Sequence, residues 1–317
     1  ATVQAVPALE RKPFPWQHTR LAAARSALTW LAANWQADGS MGVSDAFAAT
    51  AQAVLAGVAL GASQPELLGL SGAPSALDYL ASHWDVAEGS AALSGMLLAA
   101  LVAADQNVHD FTGPNVLARL VDMNDGSGHY GVSAADQAWA MIGLAAARYA
   151  LDPATVAALC EMQAADGHWS GSAPANDHTY VTALALQALA AAGVDPASAV
   201  VRTGLAYLKA RQNVNAGFAA NASATSTDAR ATAAAIQAIL ATDGDPRAER
   251  WLVNGRSPID ELAARQLAGG GFAAQSGAGA DVLSTVQAIP AMLLEVNPLC
   301  TRQGAYAVVL PIVGGSQ

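Results

Sequence analysis

Five aspartates recur at similar places along the chain and are the residues best suited to acid–base chemistry. They stand at or near the starts of apolar, alanine-rich runs: Asp45, Asp136, Asp177, Asp228 and Asp281. If those starts meet at one mouth, opposed carboxylates can serve as general acid and general base, as in glycosidic bond hydrolysis. The alternative is structural, because an aspartate that caps a helix accepts bonds from free N–H groups and stabilises it by about 1 kcal/mol.

The pair Asp177-His178 also raises the question of a metal, because aspartate and histidine are both zinc ligands. A zinc site needs three or four ligands, and neither cysteine stands nearby: Cys160 precedes this segment and Cys300 belongs to the tail. We therefore expect no metal and no cofactor. Asp177 is then expected to cap a helix and His178 to lie at the surface.

Three aromatic residues follow the helix-start aspartates by two or three positions and are candidates for contact with an apolar ligand. They are Phe47, Trp139 and Tyr180, and core packing is the alternative for each of them. The complete predicted ligand-binding rim is Asp45, Phe47, Asp136, Trp139, Asp177, His178, Tyr180, Asp228 and Asp281.

Other chemistries leave no pattern in the sequence. No Ser-His-Asp constellation, phosphate-binding glycine loop or nucleotide fingerprint is apparent; the glycines at 269–271 precede Phe272 and belong to a repeated turn. A net charge of -10 argues against nucleic acid as a partner. Polar residues interrupt every long apolar run within about 18 residues, so we expect no transmembrane segment.

The two cysteines and the first residues bear on location. Cys160 and Cys300 fit one disulfide in an oxidising compartment, and two reduced buried thiols are the alternative. The opening ATVQA is typical of a mature exported chain. Together these features predict a secreted or cell-surface protein.

The elements that position the aspartates are internal repeats, of which residues 166–193 form the clearest copy. A glycine-aromatic turn, Gly167-His168-Trp169, leads through a polar loop to a helix that begins near Asp177 and ends before Gly193. The unit of helix, turn, loop and helix occurs six times, in 27–61, from 76 onward, and in 116–149, 155–193, 204–244 and 258–295. The second copy lacks the aromatic turn and has Ser90 near the aspartate position.

Six helix pairs with one very apolar helix each predict an all-α ring, because a pair cannot bury both of its faces alone. A linear solenoid is the alternative, but neither end shows a polar capping repeat. The second helix of each pair is expected inside the ring and the first outside, with a solvated face that carries Arg25, Arg119, Lys209, Arg211, Glu261 and Arg265. The expected division is an irregular lead-in at 1–20, the ring at 21–297, and an extended, strand-like tail at 298–317.

The repeat resembles that of prenyltransferases, squalene-hopene cyclases and cobalamin carriers of the intrinsic factor type. The resemblance rests on Gln163 before Asp166-Gly-His-Trp169, Gln212 before Gly217-Phe218, Gln266 before Gly270-Gly-Phe272, and the pairs Asp177…Thr182, Asp228…Thr232 and Asp281…Thr285. It implies an (α/α)6 toroid with the site at the N-terminal ends of the inner helices. Fold alone does not assign an activity.

The catalytic signatures of the resembling proteins are missing. The chain has no DxDD acid motif, no Asp, Cys and His zinc set, and no Cys-Gly-Glu-Gln thioester run. This predicts a binding or interaction module that takes an apolar small molecule or a cobalamin-like ligand, or a protein partner through a strand at 305–313. The alternative is an enzyme of the same fold that acts on a terpenoid or a polysaccharide through the acidic rim.

Overall fold

The computed structural model describes residues 15–61, 74–113, 115–171 and 177–296, and these ranges are almost entirely helices and turns. The helices in these ranges are α1 (Pro15–Ala33), α2 (Ala46–Ala59), α3 (Ala76–Ser82), α4 (Asp85–Glu88), α5 (Ala91–Ala103), α6 (Val116–Asp122), α7 (Ala134–Ala146), α8 (Pro153–Glu161), α9 (His178–Ala191), α10 (Ala199–Ala210), α11 (Ala229–Thr242), α12 (Pro258–Ala263) and α13 (Val282–Leu293). A 3₁₀ turn at Glu249–Trp251 lies between α11 and α12.

The inner helices α2, α5, α7, α9, α11 and α13 form a closed ring, because each packs on the next and α13 packs on α2. The outer helices α3, α6, α8, α10 and α12 each lie against the inner helix that precedes them, and α1 lies against α13. The predicted (α/α)6 toroid is confirmed, and the linear solenoid is excluded by the contact between α13 and α2.

A repeated hydrogen bond joins each glycine-aromatic turn to the inner helix of its own repeat. The turn N–H donates to a threonine hydroxyl in Trp169–Thr182 (3.0 Å), Phe218–Thr232 (3.0 Å), Phe272–Thr285 (2.8 Å) and Met41–Thr50 (3.1 Å). In the third repeat the acceptor is the side-chain oxygen of Gln137, 2.7 Å from the N–H of Tyr130. These bonds fix where α2, α7, α9, α11 and α13 begin relative to the turns before them.

A glutamine after each of the outer helices α8, α10 and α12 ties neighbouring repeats together. Gln163 donates to Val200 O and Gln212 to Trp251 O, at 3.0 and 2.7 Å. Gln266 makes the same kind of bond between the last repeat and the first helix, since it donates to Ala23 O of α1 at 2.8 Å. The glutamines quoted for the family resemblance are therefore connectors between repeats, and the last of them helps to close the ring.

Close helix packing in the ring depends on small residues. A Cβ on Gly95 of α5 would lie 2.2 Å from Trp139 O, and a Cβ on Gly143 of α7 would lie 2.5 Å from Gly95 O. Neither position has room for a side chain, so the two glycines let the backbones of α5 and α7 touch. This explains the alanine- and glycine-rich composition of the inner helices.

Two details of the predicted organisation were wrong. Residues 15–20 belong to α1 and not to an irregular lead-in. Glu261 and Arg265, predicted on a solvated face, are only 5% and 9% exposed. They form an ion pair at 2.6 Å, and Glu261 also accepts from Asn215 at 3.0 Å, so they bury charge between two repeats instead of facing water. The predicted strand at 305–313 and the tail at 298–317 lie outside the described residues.

Candidate functional site

The candidate site lies where α9, α11 and α13 begin, at one mouth of the ring. Polar loops lead into these helices and also cover the start of the preceding helix: Ala229 N donates to Ala274 O at 2.9 Å, and Thr179 N to Ala220 O at 3.0 Å. Because each loop is fixed to two repeats, the side chains at the helix starts are held in defined positions.

Asp228 is the most chemically distinctive carboxyl of this mouth. It caps α11 by accepting from the N–H of Ala231 at 2.8 Å. Burial raises its pKa above the usual range, and the nearby charge of Asp281 acts in the same direction, while bonds from the backbone and the charge of Arg230 act against it. Such a carboxyl keeps its proton to a higher pH than an exposed one, which suits a proton donor.

Arg230 and Tyr180 bring charge and an aromatic face to the same place. The guanidinium carbon of Arg230 lies 3.8 Å from the ring centroid of Tyr180, within the range of a cation–π contact. Arg230 also interacts electrostatically with Asp177 and Asp228. Its Nε is buried without an acceptor in hydrogen-bond geometry among the described residues, while the Tyr180 hydroxyl interacts with the guanidinium group. The mouth therefore holds a cation with unused donor capacity.

Asp177 does not act as the helix cap that the sequence predicts. It occupies the N-cap position of α9, but its side chain makes no capping bond. Its Oδ1 is buried and has no hydrogen-bond partner within the described ranges. Asp228 and Asp281 do cap their helices, the latter by accepting from Ser284 N at 2.7 Å. The side chain of Asp177 is therefore not used to cap α9.

The remaining predicted rim residues are not gathered into this cluster by any observed bond. Asp45 precedes α2 without a capping bond. Asp136 is not the equivalent of the other aspartates: Ser133 caps α7, and Asp136 accepts from its hydroxyl at 2.7 Å. Phe47 and Trp139 are 4% and 1% exposed and belong to the packed core, which is the alternative to ligand contact for both residues.

His178 takes part in a second cluster beside the mouth, with His168 of the preceding turn. The two imidazole rings stack with centroids 4.4 Å apart. The ring of Tyr207 in α10 is tilted against the His168 ring, and their centroids are 5.4 Å apart. Burial lowers the pKa of His178, and the charge of His168 lowers it further. His178 is partly buried in a stack and is not the free surface residue that the sequence predicted.

A Ser-His-Asp arrangement is present although none was apparent in the sequence. His168 Nδ1 lies 2.5 Å from Asp166 Oδ1, and its Nε2 lies 3.0 Å from Ser170 Oγ. The spacing of two residues between members places all three on one turn. Arg230 was also missed, although it is a charged residue in an otherwise apolar helix, which is a signal that the sequence does contain.

The described residues contain neither a disulfide nor a cluster of metal ligands. Cys160 is a free, half-buried thiol whose pKa is raised by burial, so the predicted disulfide is not found; Cys300 lies outside the described residues. Within the described ranges no three His, Cys, Asp or Glu side chains are grouped as metal ligands would be. In the same part of the chain no helix has the length and apolar character to cross a bilayer.

Comparison with known proteins gives matches in structure but not in sequence. No protein-family model matches the chain, and no curated protein matches it in sequence. A variant of the type II terpene cyclase MstE from Scytonema, solved with geranylgeranyl dihydroxybenzoate (substrate), superposes with a TM-score of 0.61 at 15% identity over 88% of this chain and 98% of its own. The apo form of that cyclase gives 0.58 at 15% identity over 87% and 98%.

Two other solved structures share the architecture. A glycosidase superposes with a TM-score of 0.58 at 12% identity over 87% of this chain and 96% of its own. A protein from Actinoplanes gives 0.56 at 16% identity over 87% and 99%. The prediction of a binding module without catalysis was wrong, because the structures similar to this chain include type II terpene cyclases, which are enzymes. No finding supports a cobalamin-like ligand or a protein partner.

The closed ring of helix pairs agrees with these likenesses. At such low identity the likeness is one of fold, and the chemistry must be argued from the mouth itself. The chain is an (α/α)6 toroid with the repeat architecture that type II terpene cyclases and squalene-hopene cyclase-like proteins share.

Proposed function

We propose that this protein is an enzyme that acts on an isoprenoid substrate by proton transfer at the mouth formed by α9, α11 and α13. The observation that carries the proposal is the cluster of Asp228, Arg230, Tyr180 and Asp177. It joins a partly buried carboxyl with a raised pKa to a cation and to a carboxylate oxygen without a hydrogen-bond partner among the described residues. The proposal takes up the enzyme alternative of the sequence analysis.

Asp228 is the proton donor in this proposal. Its carboxylic proton passes to one carbon of an alkene, and the positive charge then stands on the more substituted carbon. A neighbouring double bond attacks that carbon and closes a ring. Loss of a proton to a carboxylate gives a product with the same composition as the substrate. Burial favours the first step because it raises the pKa of the donor, so that the carboxyl keeps its proton to a higher pH than an exposed aspartate does.

Asp177 is the proton acceptor that fits the last step. Its Oδ1 is buried and neither caps α9 nor meets another donor among the described residues. Arg230 interacts electrostatically with both carboxyls and so links the two groups at the mouth. Two carboxyl groups held in different environments by one arginine can divide the roles of acid and base.

The chain departs from the acid cluster of class II cyclases in that a single aspartate precedes α11. The second carboxyl that acts on Asp228 is Asp281 of the next repeat, whose charge raises the pKa of Asp228, and not a neighbour in the same motif. We therefore expect a weaker acid and a substrate whose alkene is easily protonated, such as a trisubstituted double bond at the end of a polyprenyl chain.

The experiment is product analysis by liquid chromatography and mass spectrometry. Purified protein is incubated with geranylgeranyl- and farnesyl-substituted aromatic acids and with the free prenyl alcohols. We expect a new compound of unchanged mass and altered retention, which disappears with Asp228→Asn. Asp152→Asn is the matched control, because Asp152 caps the outer helix α8 through Ala154 N at 2.8 Å, away from the mouth. Equal product from wild type and Asp228→Asn would overturn the assignment.

A further inference from the structure

The Asp166, His168 and Ser170 side chains form a hydrogen-bond relay that the proposed isoprenoid chemistry does not use. Asp166 Oδ1 lies 2.5 Å from His168 Nδ1, and His168 Nε2 lies 3.0 Å from Ser170 Oγ. A carboxylate on Nδ1 favours the tautomer that carries its proton there, which leaves Nε2 as an acceptor for the serine proton. This is the order of contacts that activates a serine in acyl transfer.

The relay is held in place from several sides. Asp166 Oδ1 also accepts from the N–H of His168 at 3.3 Å, so the carboxylate is bound by backbone as well as imidazole. The His168 ring is stacked on His178 at 17° between planes. Ser170 is fixed through its own carbonyl, which accepts from Ala134 N of α7 at 3.3 Å. The turn that carries Asp166, His168 and Ser170 is thus held by backbone hydrogen bonds and by ring stacking.

Accessibility suits a reaction with a molecule from solution. Ser170 is exposed, and the side chain of His168 keeps 19% of its surface accessible. The carboxyl pKa of Asp166 is lowered, chiefly by its hydrogen bond to His168, so the carboxylate form persists at neutral pH. The residue that orients the imidazole is therefore an anion, as that role requires.

The third repeat supplies an internal comparison with the same residue types in another arrangement. There Ser127 Oγ donates to Asp125 Oδ1 at 2.7 Å and lies 2.9 Å from His129 Nδ1. The serine hydroxyl stands between acid and imidazole, and the carboxylate is 3.7 Å from the ring nitrogen. The hydroxyl proton is already committed to the carboxylate, so this turn lacks the relay found at Ser170.

We propose that Ser170 is a nucleophile, with His168 as its base and Asp166 as the residue that orients the base, and that it accepts acyl groups from small activated carboxylic esters. Ser170 Oγ adds to the ester carbonyl carbon while its proton passes to His168 Nε2. The intermediate expels the alkoxide, which takes that proton. Water then attacks the acyl-serine with His168 again as base, which releases the acid and restores the hydroxyl.

The test uses a fluorophosphonate probe, whose phosphorus accepts the serine oxygen as fluoride leaves, and p-nitrophenyl acetate as the ester. We expect mass spectrometry to place the phosphonyl group on Ser170, and both labelling and p-nitrophenol release to fall about 100-fold or more in His168→Ala, given the usual contribution of a general base. Ser170→Ala should lose the label altogether. Ser127→Ala should behave as wild type.

The comparison variants keep the proposal falsifiable if His168→Ala loosens the turn. Asp166→Asn preserves size and backbone contacts, and it should slow labelling at Ser170 while the melting temperature stays that of wild type. Absence of label on Ser170 in folded wild-type protein overturns the proposal. Equal labelling rates for wild type and Asp166→Asn, or equal labelling of Ser127 and Ser170, do so as well, because the relay would then confer nothing.

Discussion

The N–H of Trp169 donates to the hydroxyl of Thr182, 3.0 Å away. This bond fixes the first turn of α9 to the glycine-aromatic turn that precedes the helix. Both residues are fully buried. Phe218–Thr232 and Phe272–Thr285 repeat the relationship in the next two repeats. The Asp…Thr pairs visible in the sequence therefore have two roles. The aspartate stands at the start of the inner helix, and the threonine, about one helical turn later, binds the glycine-aromatic turn through its hydroxyl.

Thr182→Val should destabilise the protein by about 1–3 kcal/mol, because it leaves the buried N–H of Trp169 without an acceptor. Valine has nearly the same shape as threonine, so packing changes little. Thr182→Ser retains the hydroxyl and is the control, with a smaller loss expected from the missing methyl group. Chemical denaturation gives the free energy of unfolding of each. A Thr182→Val protein as stable as Thr182→Ser would refute the role of this bond.

Gln266→Ala should loosen the join of the ring. Gln266 donates to Ala23 O and Gly270 O, both at 2.8 Å, and is a direct polar tie between the last repeat and α1. We expect faster amide hydrogen exchange in α1, measured by mass spectrometry of peptides from 19–33. Gln212→Ala removes the equivalent pair of bonds inside the ring and should affect the segment around Trp251 instead. Identical exchange of α1 in both variants would contradict the closing role of Gln266.

Gly95→Ala should cost about 1–3 kcal/mol or more of stability, because its Cβ would lie 2.2 Å from Trp139 O, where the backbone cannot yield cheaply. Gly89→Ala is the matched control: it has nothing within 4 Å of the added carbon and no left-handed backbone. We expect thermal unfolding to place Gly89→Ala near wild type and Gly95→Ala well below it. A small shift for Gly95→Ala would mean that α5 and α7 can separate without penalty.

Much of the fold could be predicted because its determinants are local and repeated. The glutamines, the turn glycines and the Asp…Thr pairs recur at spacings that a single chain displays. Ring closure was also predicted, but the contacts that form it, of α13 with α2 and of Gln266 with Ala23, join residues far apart in the sequence and cannot be identified from local spacing. The burial of Glu261 and Arg265 was missed for a related reason, since it is decided by Asn215 of the preceding repeat.

The candidate site was predicted in outline only. The aspartates at the helix starts were identified, but their similar positions hide different environments: Asp228 caps α11, whereas one oxygen of Asp177 meets no hydrogen-bond donor among the described residues. The contact of Arg230 with Tyr180 joins two inner helices and could not follow from spacing within either. The relay of Asp166, His168 and Ser170 lies in alternate residues of one turn, a pattern that only side-chain directions reveal.

Stability should depend on pH through Asp228 with a definite sign. Its pKa is raised in the folded protein above the usual 3.8, so the folded state binds the proton more tightly than the unfolded state. Ionisation therefore costs stability as pH rises from about 3.8 through the folded-state pKa. Asp228→Asn removes this cost while keeping a capping side chain, and its stability relative to wild type should increase over that window in unfolding measured at a series of pH values.

Asp78→Asn gives the opposite slope and serves as the control for that series. Bonds from Ser75 lower the pKa of Asp78, which caps α3 reciprocally with that serine. Its contribution to stability is present above the usual pKa and is lost as pH falls through the folded-state value. The same slope for both variants would contradict the assignment of a raised pKa to Asp228.

The most direct test of proton transfer from Asp228 is turnover of a geranylgeranyl-substituted aromatic acid in D₂O. Because an exchangeable carboxyl proton begins the reaction, each molecule of cyclised product should carry one deuterium bound to carbon, seen as a gain of one mass unit. Asp228→Asn should yield neither the product nor the label, and Asp152→Asn should yield both. A cyclised product without carbon-bound deuterium, or a labelled product from Asp228→Asn, would contradict the account.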